Sequence, residues 1–236
     1  MKLAIMQPYF FPYLGYFSLI KHTDQFILLD TVQFIRHGWI ERNRILKPTE
    51  GWQYIGVPLQ KHSRNTLIKD IKIRKEEDWR NKIFRQLEHY KKYSPFFFEV
   101  KKFLEDTLNV NTDSITELNA HILKKTCLYI GFEPNIKIFS EMKIKIEEPK
   151  APDEWALNIC KILNNVNEYW NPQGGIAFFD KNKYNKAGIN LKFIKFSLTP
   201  YSQKRSFFEP GLSIIDVLMF NTKNEIYRML NEFEII

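Results

Sequence analysis

Asp30 stands at the end of the apolar run Phe26-Ile27-Leu28-Leu29 and is followed by Gln33, His37, Trp39, Arg42 and Asn43. A carboxylate at the end of a buried strand is costly unless a donor, a cation or solvent meets it. Arg42 can serve as that partner, or can present its planar fork to a phosphate or carboxylate. His37 lies in the loop between them and has the chemistry of a general acid or base; it is otherwise an exposed loop residue. Asp30 and His37 are therefore the candidate proton acceptors.

Three further segments carry usable groups. Gln7 opens the stretch Pro8-Tyr9-Phe10-Phe11-Pro12-Tyr13, and its amide can donate and accept at once, toward a ligand or toward the loop's own backbone. Tyr9, Tyr13 and Trp39 offer ring faces for stacking, although such a loop can equally tuck its rings into the core. Gly174 and Gly175 follow Asn171-Pro172; paired glycines let backbone N–H groups approach an oxyanion, or simply make a tight turn. Tyr201, Gln203, Lys204 and Arg205 form a polar and basic loop suited to anions. Asp216 follows within an apolar helix and needs a partner there, with Ser213 as its capping residue.

The elements that must position these groups alternate between strand and helix. Residues 3–6, 25–30, 54–59, 136–140, 168–171 and 191–196 read as strands, and 67–73 alternates as a further strand would. The near-continuous apolar runs suit strands covered on both faces, hence a mostly parallel sheet with helical crossovers. Helical spacing marks 14–22, three helices between about 76 and 131, then 156–163, 212–220 and 223–233. The expected fold is α/β, one domain over 1–236 with a helical insert at about 76–131. A rigid loop after the first strand falls where open α/β sheets form their ligand crevice.

Composition narrows the function classes. The net charge of +8 invites anionic partners, but the positives are dispersed among acids and no recognition motif accompanies them, so nucleic acid is not expected. Cys127 and Cys160 lack metal-ligand spacing and fall on apolar helix faces, which argues against zinc and against a nucleophile. Neither phosphate-loop, dinucleotide, serine-elbow nor metalloprotease motifs occur. No organic cofactor or metal is indicated, and no apolar stretch approaches a membrane span. A cytoplasmic protein is expected, its oligomeric state open.

With these residues assembled, the chain resembles the WbqC-like family of bacterial proteins. The resemblance rests on Gln7-Pro8 with Pro12 and Gly15, Asp30 with Gln33, Arg42-Asn43, Val57-Pro58, Tyr169 to Gly175, Tyr201 with Gln203, and Leu212 to Asp216. One departure is Asn221-Thr222, where relatives tend to carry glycine. The resemblance implies a setting among genes for O-antigen and other surface polysaccharides, beside enzymes making nucleotide-linked amino sugars. It implies transfer of an acyl or aminoacyl group onto a sugar amine. A more distant similarity of the first strand and its Pro12-Tyr13-Leu14-Gly15 turn is to nucleotidyltransferases, although tyrosines stand where those enzymes place histidines.

The expected activity is thus N-acyl or aminoacyl transfer to a nucleotide-linked amino sugar. An ATP-dependent amide ligase or nucleotidyl transferase, and a non-catalytic sugar-nucleotide-binding protein, are the alternatives. Gln7, Tyr9, Tyr13, Gln33, Trp39, Arg42, Asn43, Gly174, Gly175, Tyr201, Gln203, Lys204, Arg205 and Asp216 are the expected substrate-binding residues. The ring-rich turn, the Asp30–Arg42 region and the late basic loop are expected to surround one cavity.

Overall fold

The computed structural model describes all residues, 1–236. Its centre is a six-stranded sheet of β1 (Lys2–Met6), β2 (Gln25–Leu28), β5 (Ile136–Ile138), β6 (Glu168–Pro172), β7 (Asn190–Phe196) and β8 (Phe233–Ile235), in the order β5-β2-β1-β6-β7-β8. All neighbours are parallel except β8, which runs antiparallel to β7. The apolar runs at β1 and β2 are buried on both faces, as the parallel arrangement requires.

Leu3, Ile5, Ile27, Tyr169, Leu191 and Phe193 face a smaller core closed by α5 (Glu154–Leu163) and α6 (Lys181–Lys186). Ala4, Phe26, Leu28, Trp170 and Ile194 face the larger core. That core is closed by α1 (Leu14–His22), α2 (Trp79–Leu87), α3 (Phe97–Leu108), α4 (Ile115–Ile130), α7 (Ile214–Phe220) and α8 (Lys223–Met229). Because α1 and α6 lie on opposite faces, the winding reverses between β1 and β6. No helix is long and apolar enough to cross a membrane.

Several elements differ from expectation. Arg42–Leu46 is not loop but a strand, β3, paired antiparallel with β4 (Trp52–Gly56) in a hairpin separate from the main sheet. Gly51, at φ +79°, turns the chain between them. Residues 67–73 form a 3₁₀ turn at Ile68–Asp70 between isolated bridges, Gln33 to Leu67 and Leu59 to Ile73. The last helix stops at Met229, and the remaining apolar residues supply β8. By contrast α4 ends at Gly131 in the left-handed conformation (φ +112°), where its N–H closes the helix.

Candidate functional site

The aromatic loop after β1 divides between core and surface. Phe10 and Phe11 are fully buried, while Tyr9 and Tyr13 are half-buried. Burial raises both tyrosine pKa values. Phe11 sits at φ +38°, a strained conformation for a ring-bearing residue. Buried carbonyls of such a loop need donors, and distant polar residues supply them. Asn43 Nδ2 donates to Phe10 O (3.0 Å) and Phe11 O (2.9 Å), and Asn119 Nδ2 donates to Pro8 O (2.8 Å) and Ile40 O (2.9 Å). Ser213 Oγ donates to Phe11 O (2.8 Å), and Ile214 N–H to Pro12 O (2.9 Å). The Tyr16 hydroxyl donates to Gln7 O (2.7 Å). Gly15 belongs to the same packing: a Cβ there would lie 2.4 Å from Cε2 of Tyr13.

Asp216 is enclosed. Its Oδ2 accepts from the Tyr90 hydroxyl (2.6 Å), and its Oδ1 from the Tyr201 hydroxyl (2.5 Å) and Gln203 Nε2 (3.0 Å). Tyr90 in turn accepts from Leu46 N–H (2.9 Å). Burial pushes the Asp216 carboxyl up to about 6, against the opposing pull of these three donors. Gln203 also holds Glu209 through both backbone groups, N–H to Oε1 (2.8 Å) and Nε2 to O (3.0 Å). Tyr90, Asp216, Tyr201 and Gln203 therefore tie the helical block, α7, the hairpin and the late loop together. The partner that Asp216 needs is thus supplied by two hydroxyls and an amide.

Asp30 is also internal. At 1% exposure, its Oδ1 accepts from Ser140 N–H (3.0 Å) and its Oδ2 from Ser140 Oγ (2.6 Å). It caps the 3₁₀ turn Phe139–Met142 and does not meet Arg42. Arg42 instead donates to His37 O (2.6 Å) and lies 3.9 Å over the Tyr54 ring. His37, at φ +63°, is exposed, with its N–H donating to Glu41 Oε1 (2.7 Å). Arg44 follows on the same hairpin face between Trp39 (5.4 Å) and Trp52 (5.1 Å), and donates to Gly211 O.

The expected single cavity does not form. Tyr13 and Tyr201 meet in an apolar crevice of about 20 Å³, room for one water molecule. Gln7 and the exposed Gly174 lie at the ends of neighbouring strands β1 and β6, where the winding reverses. Asn171 packs against Gly175, whose absent Cβ it would meet at 2.0 Å. Lys204 and Arg205 line a different cavity of about 490 Å³, between the hairpin turn and residues 204–209. Gln33 lines a third, of about 480 Å³.

The 490 Å³ cavity has the most varied chemistry. Arg205 Nη1 donates to Thr49 O and Nη2 to Lys47 O, pinning the late loop to the hairpin turn. Lys204, at φ +54°, stays free of protein partners on the cavity wall, with Glu50 and Glu209 opposite in sign. Tyr93 and Phe207 add rings that are 42% and 79% exposed. Sequence reasoning missed Glu50, Tyr93, Phe207 and Glu209, since each reads as ordinary surface until the two loops are brought together. His89 borders the adjoining concavity; burial lowers its pKa, opposed by its bond to Gln86 O (2.8 Å).

Comparisons with known proteins agree with this end-to-end pattern. A relative 29% identical over 232 residues, covering 95% of both chains, is "Uncharacterized protein Rv1507c" of Mycobacterium tuberculosis (strain ATCC 25618 / H37Rv). No solved structure matches the chain. The WbqC-like family model matches residues 7–228, which takes in the braced loop, the hairpin, the helical block and the Asp216 network. The chain belongs to the WbqC-like protein family.

Proposed function

We propose that this protein is an N-acyl or aminoacyl transferase acting on a nucleotide-linked amino sugar in surface polysaccharide biosynthesis, and that the sugar nucleotide occupies the cavity between the hairpin turn and residues 204–209. The observation that carries the binding half is the composition of that wall. Lys204 suits a diphosphate, Glu50 and Glu209 suit a sugar ammonium or hydroxyls, and Tyr93 and Phe207 suit a base or sugar ring. At about 490 Å³ the cavity lies within the usual range for small-molecule sites. The transfer half rests on the family resemblance and its polysaccharide setting.

A second reading, sugar-nucleotide binding without turnover, is favoured by one specific observation. Both oxygens of Asp30 are engaged by Ser140, so this acid is not free to accept a proton from an amine. The test has two arms. Titration calorimetry with a uridine diphosphate amino sugar should show binding that weakens about tenfold in Lys204→Gln, the loss of one charge-assisted contact. Equal affinity in that variant would remove the site. Incubation with 4-amino sugar nucleotides and acyl-coenzyme A, acyl-carrier or aminoacyl donors, read by mass shift, should give an amide product. Binding without product supports the second reading.

A further inference from the structure

At the opposite end of β3, residues 31–38 and 60–69 are laced together. Phe34 N–H donates to Thr66 O (3.0 Å), Ile68 N–H to Val32 O (3.0 Å) and Lys69 N–H to Asp30 O (2.8 Å). Gln33 Nε2 donates to Arg64 O (2.8 Å), and Arg36 Nη2 to His62 O (3.2 Å). The two loops are thereby held in register and border the open 480 Å³ cavity.

The walls of this cavity carry donors of one sign. Arg36, His62, Ser63, Arg64 and Gln33 line it, and no Asp or Glu does. Neither Arg36 nor Arg64 forms an ion pair with any carboxylate of the molecule. Residues 31–40 and 57–69 contain no acid at all, while Lys61 and Lys69 add further positive charge. His62 Nδ1 lies 3.0 Å from Gln60 O, and its Nε2 is buried without a partner. The ring is held edge-on to the buried Phe34 at 5.1 Å. Two guanidinium forks, a hydroxyl and a primary amide on one lining that holds no carboxylate match the donor demand of a phosphoryl group.

We propose that this cavity is a binding site for the phosphate or diphosphate group of a small metabolite. It shares no lining residue with the hairpin-tip cavity. The inference stands on this cavity and does not depend on the transferase reading.

The test uses inorganic phosphate, pyrophosphate and uridine diphosphate as probes in calorimetric titrations at low and high salt. Wild-type protein should bind pyrophosphate more tightly than phosphate, with affinity falling as salt rises. Arg64→Gln, whose exposed side chain has no partner within the protein, should weaken pyrophosphate about tenfold with its melting temperature unchanged. Arg36→Gln should weaken pyrophosphate at least as much, with a lowered melting temperature because its bond to His62 O is lost too, and Lys204→Gln should leave pyrophosphate affinity intact. Uridine diphosphate lost in Lys204→Gln but not in Arg64→Gln would mark two separate sites. Pyrophosphate binding that is absent, insensitive to both arginine variants, or lost equally in Lys204→Gln would overturn the proposal.

Discussion

Asp216 is the group whose replacement reports most directly on the internal architecture. Its carboxyl is held at about 6 against an ordinary value of 3.8, with burial as the main cause. Because the folded-state pKa is raised, the folded protein prefers the protonated acid. The stability this contributes is complete below about pH 4 and is lost as pH rises through about 6. The full difference is worth about 3 kcal/mol, and about 2 kcal/mol of it falls between pH 4.5 and 7.5. Asp216→Asn cannot ionise, and it replaces one oxygen that accepts from Tyr90, or from Tyr201 and Gln203, with an amide nitrogen. That hydrogen-bond loss is the same at every pH, so it cancels when the gap between variant and wild type is compared across pH. Other groups facing the carboxyl, namely Tyr90, Tyr201, Arg205 and His89 behind Tyr90, are present in both proteins. Urea unfolding at pH 4.5 and 7.5 should therefore show the variant gaining about 2 kcal/mol on wild type as pH rises. A gap that stays constant would mean that Asp216 does not titrate in this interval. Movement in the opposite sense would mean that the three donors outweigh burial and hold the acid ionised.

Two other perturbations follow from the same geometry. Asn43→Ala removes the donors to Phe10 O and Phe11 O, of which only Phe11 O keeps a second partner in Ser213; the expected cost is about 2–3 kcal/mol in urea unfolding. Asn43→Asp should cost more, because a carboxylate faces carbonyl oxygens without an N–H to offer, and wild-type stability in that variant would refute the bracing role. Cys127 and Cys160 are 0% and 2% exposed, and burial pushes the Cys160 thiol up to about 12 and Cys127 higher than its ordinary range. Both should resist an aromatic disulfide reagent in the native protein and react at once in denaturant; rapid native labelling would show an opening that this packing does not allow.

Local signals made much of the fold legible. The apolar runs at β1 and β2 have no polar alternation, so burial on both faces follows from composition alone, and the Gly131 stop of α4 follows from its left-handed backbone. The hairpin was not legible, because the outward face of β3 is Arg42 and Arg44, whose apolar contacts are rings from elsewhere: Tyr54, Trp39 and Trp52. Without β4 in place, Arg42-Asn43-Arg44 reads as a basic loop. Likewise Leu67 to Ile73 alternates as a strand does, yet its register is broken by a 3₁₀ turn whose cause is pairing with residues 30–34.

The candidate site divided along a line that residue types do not reveal. Asn43, Gln203, Asp30 and Asp216 are the polar groups a sequence most readily offers as ligand-binding, and each is directed inward. Their tasks differ: Asn43 donates to the carbonyls of the ring-filled loop, where Phe10 and Phe11 are buried and water cannot reach, while Asp30 accepts from Ser140 and Asp216 accepts from Tyr90, Tyr201 and Gln203. Distant segments supply the loop's donors, Asn43, Asn119 and Ser213 through side chains and Ile214 through its N–H, so each of these polar groups is committed before any ligand arrives. What remains for a ligand is the set of groups with no internal partner, such as Lys204 at the hairpin tip and Arg64 at its root. A free cation and a solvated surface cation have the same sequence signature, and they separate only when the fold decides where the carboxylates lie. At the hairpin root the cavity lining holds none, and that lack of a counter-charge on the wall, more than the number of arginines, is what the proposed anion site rests on.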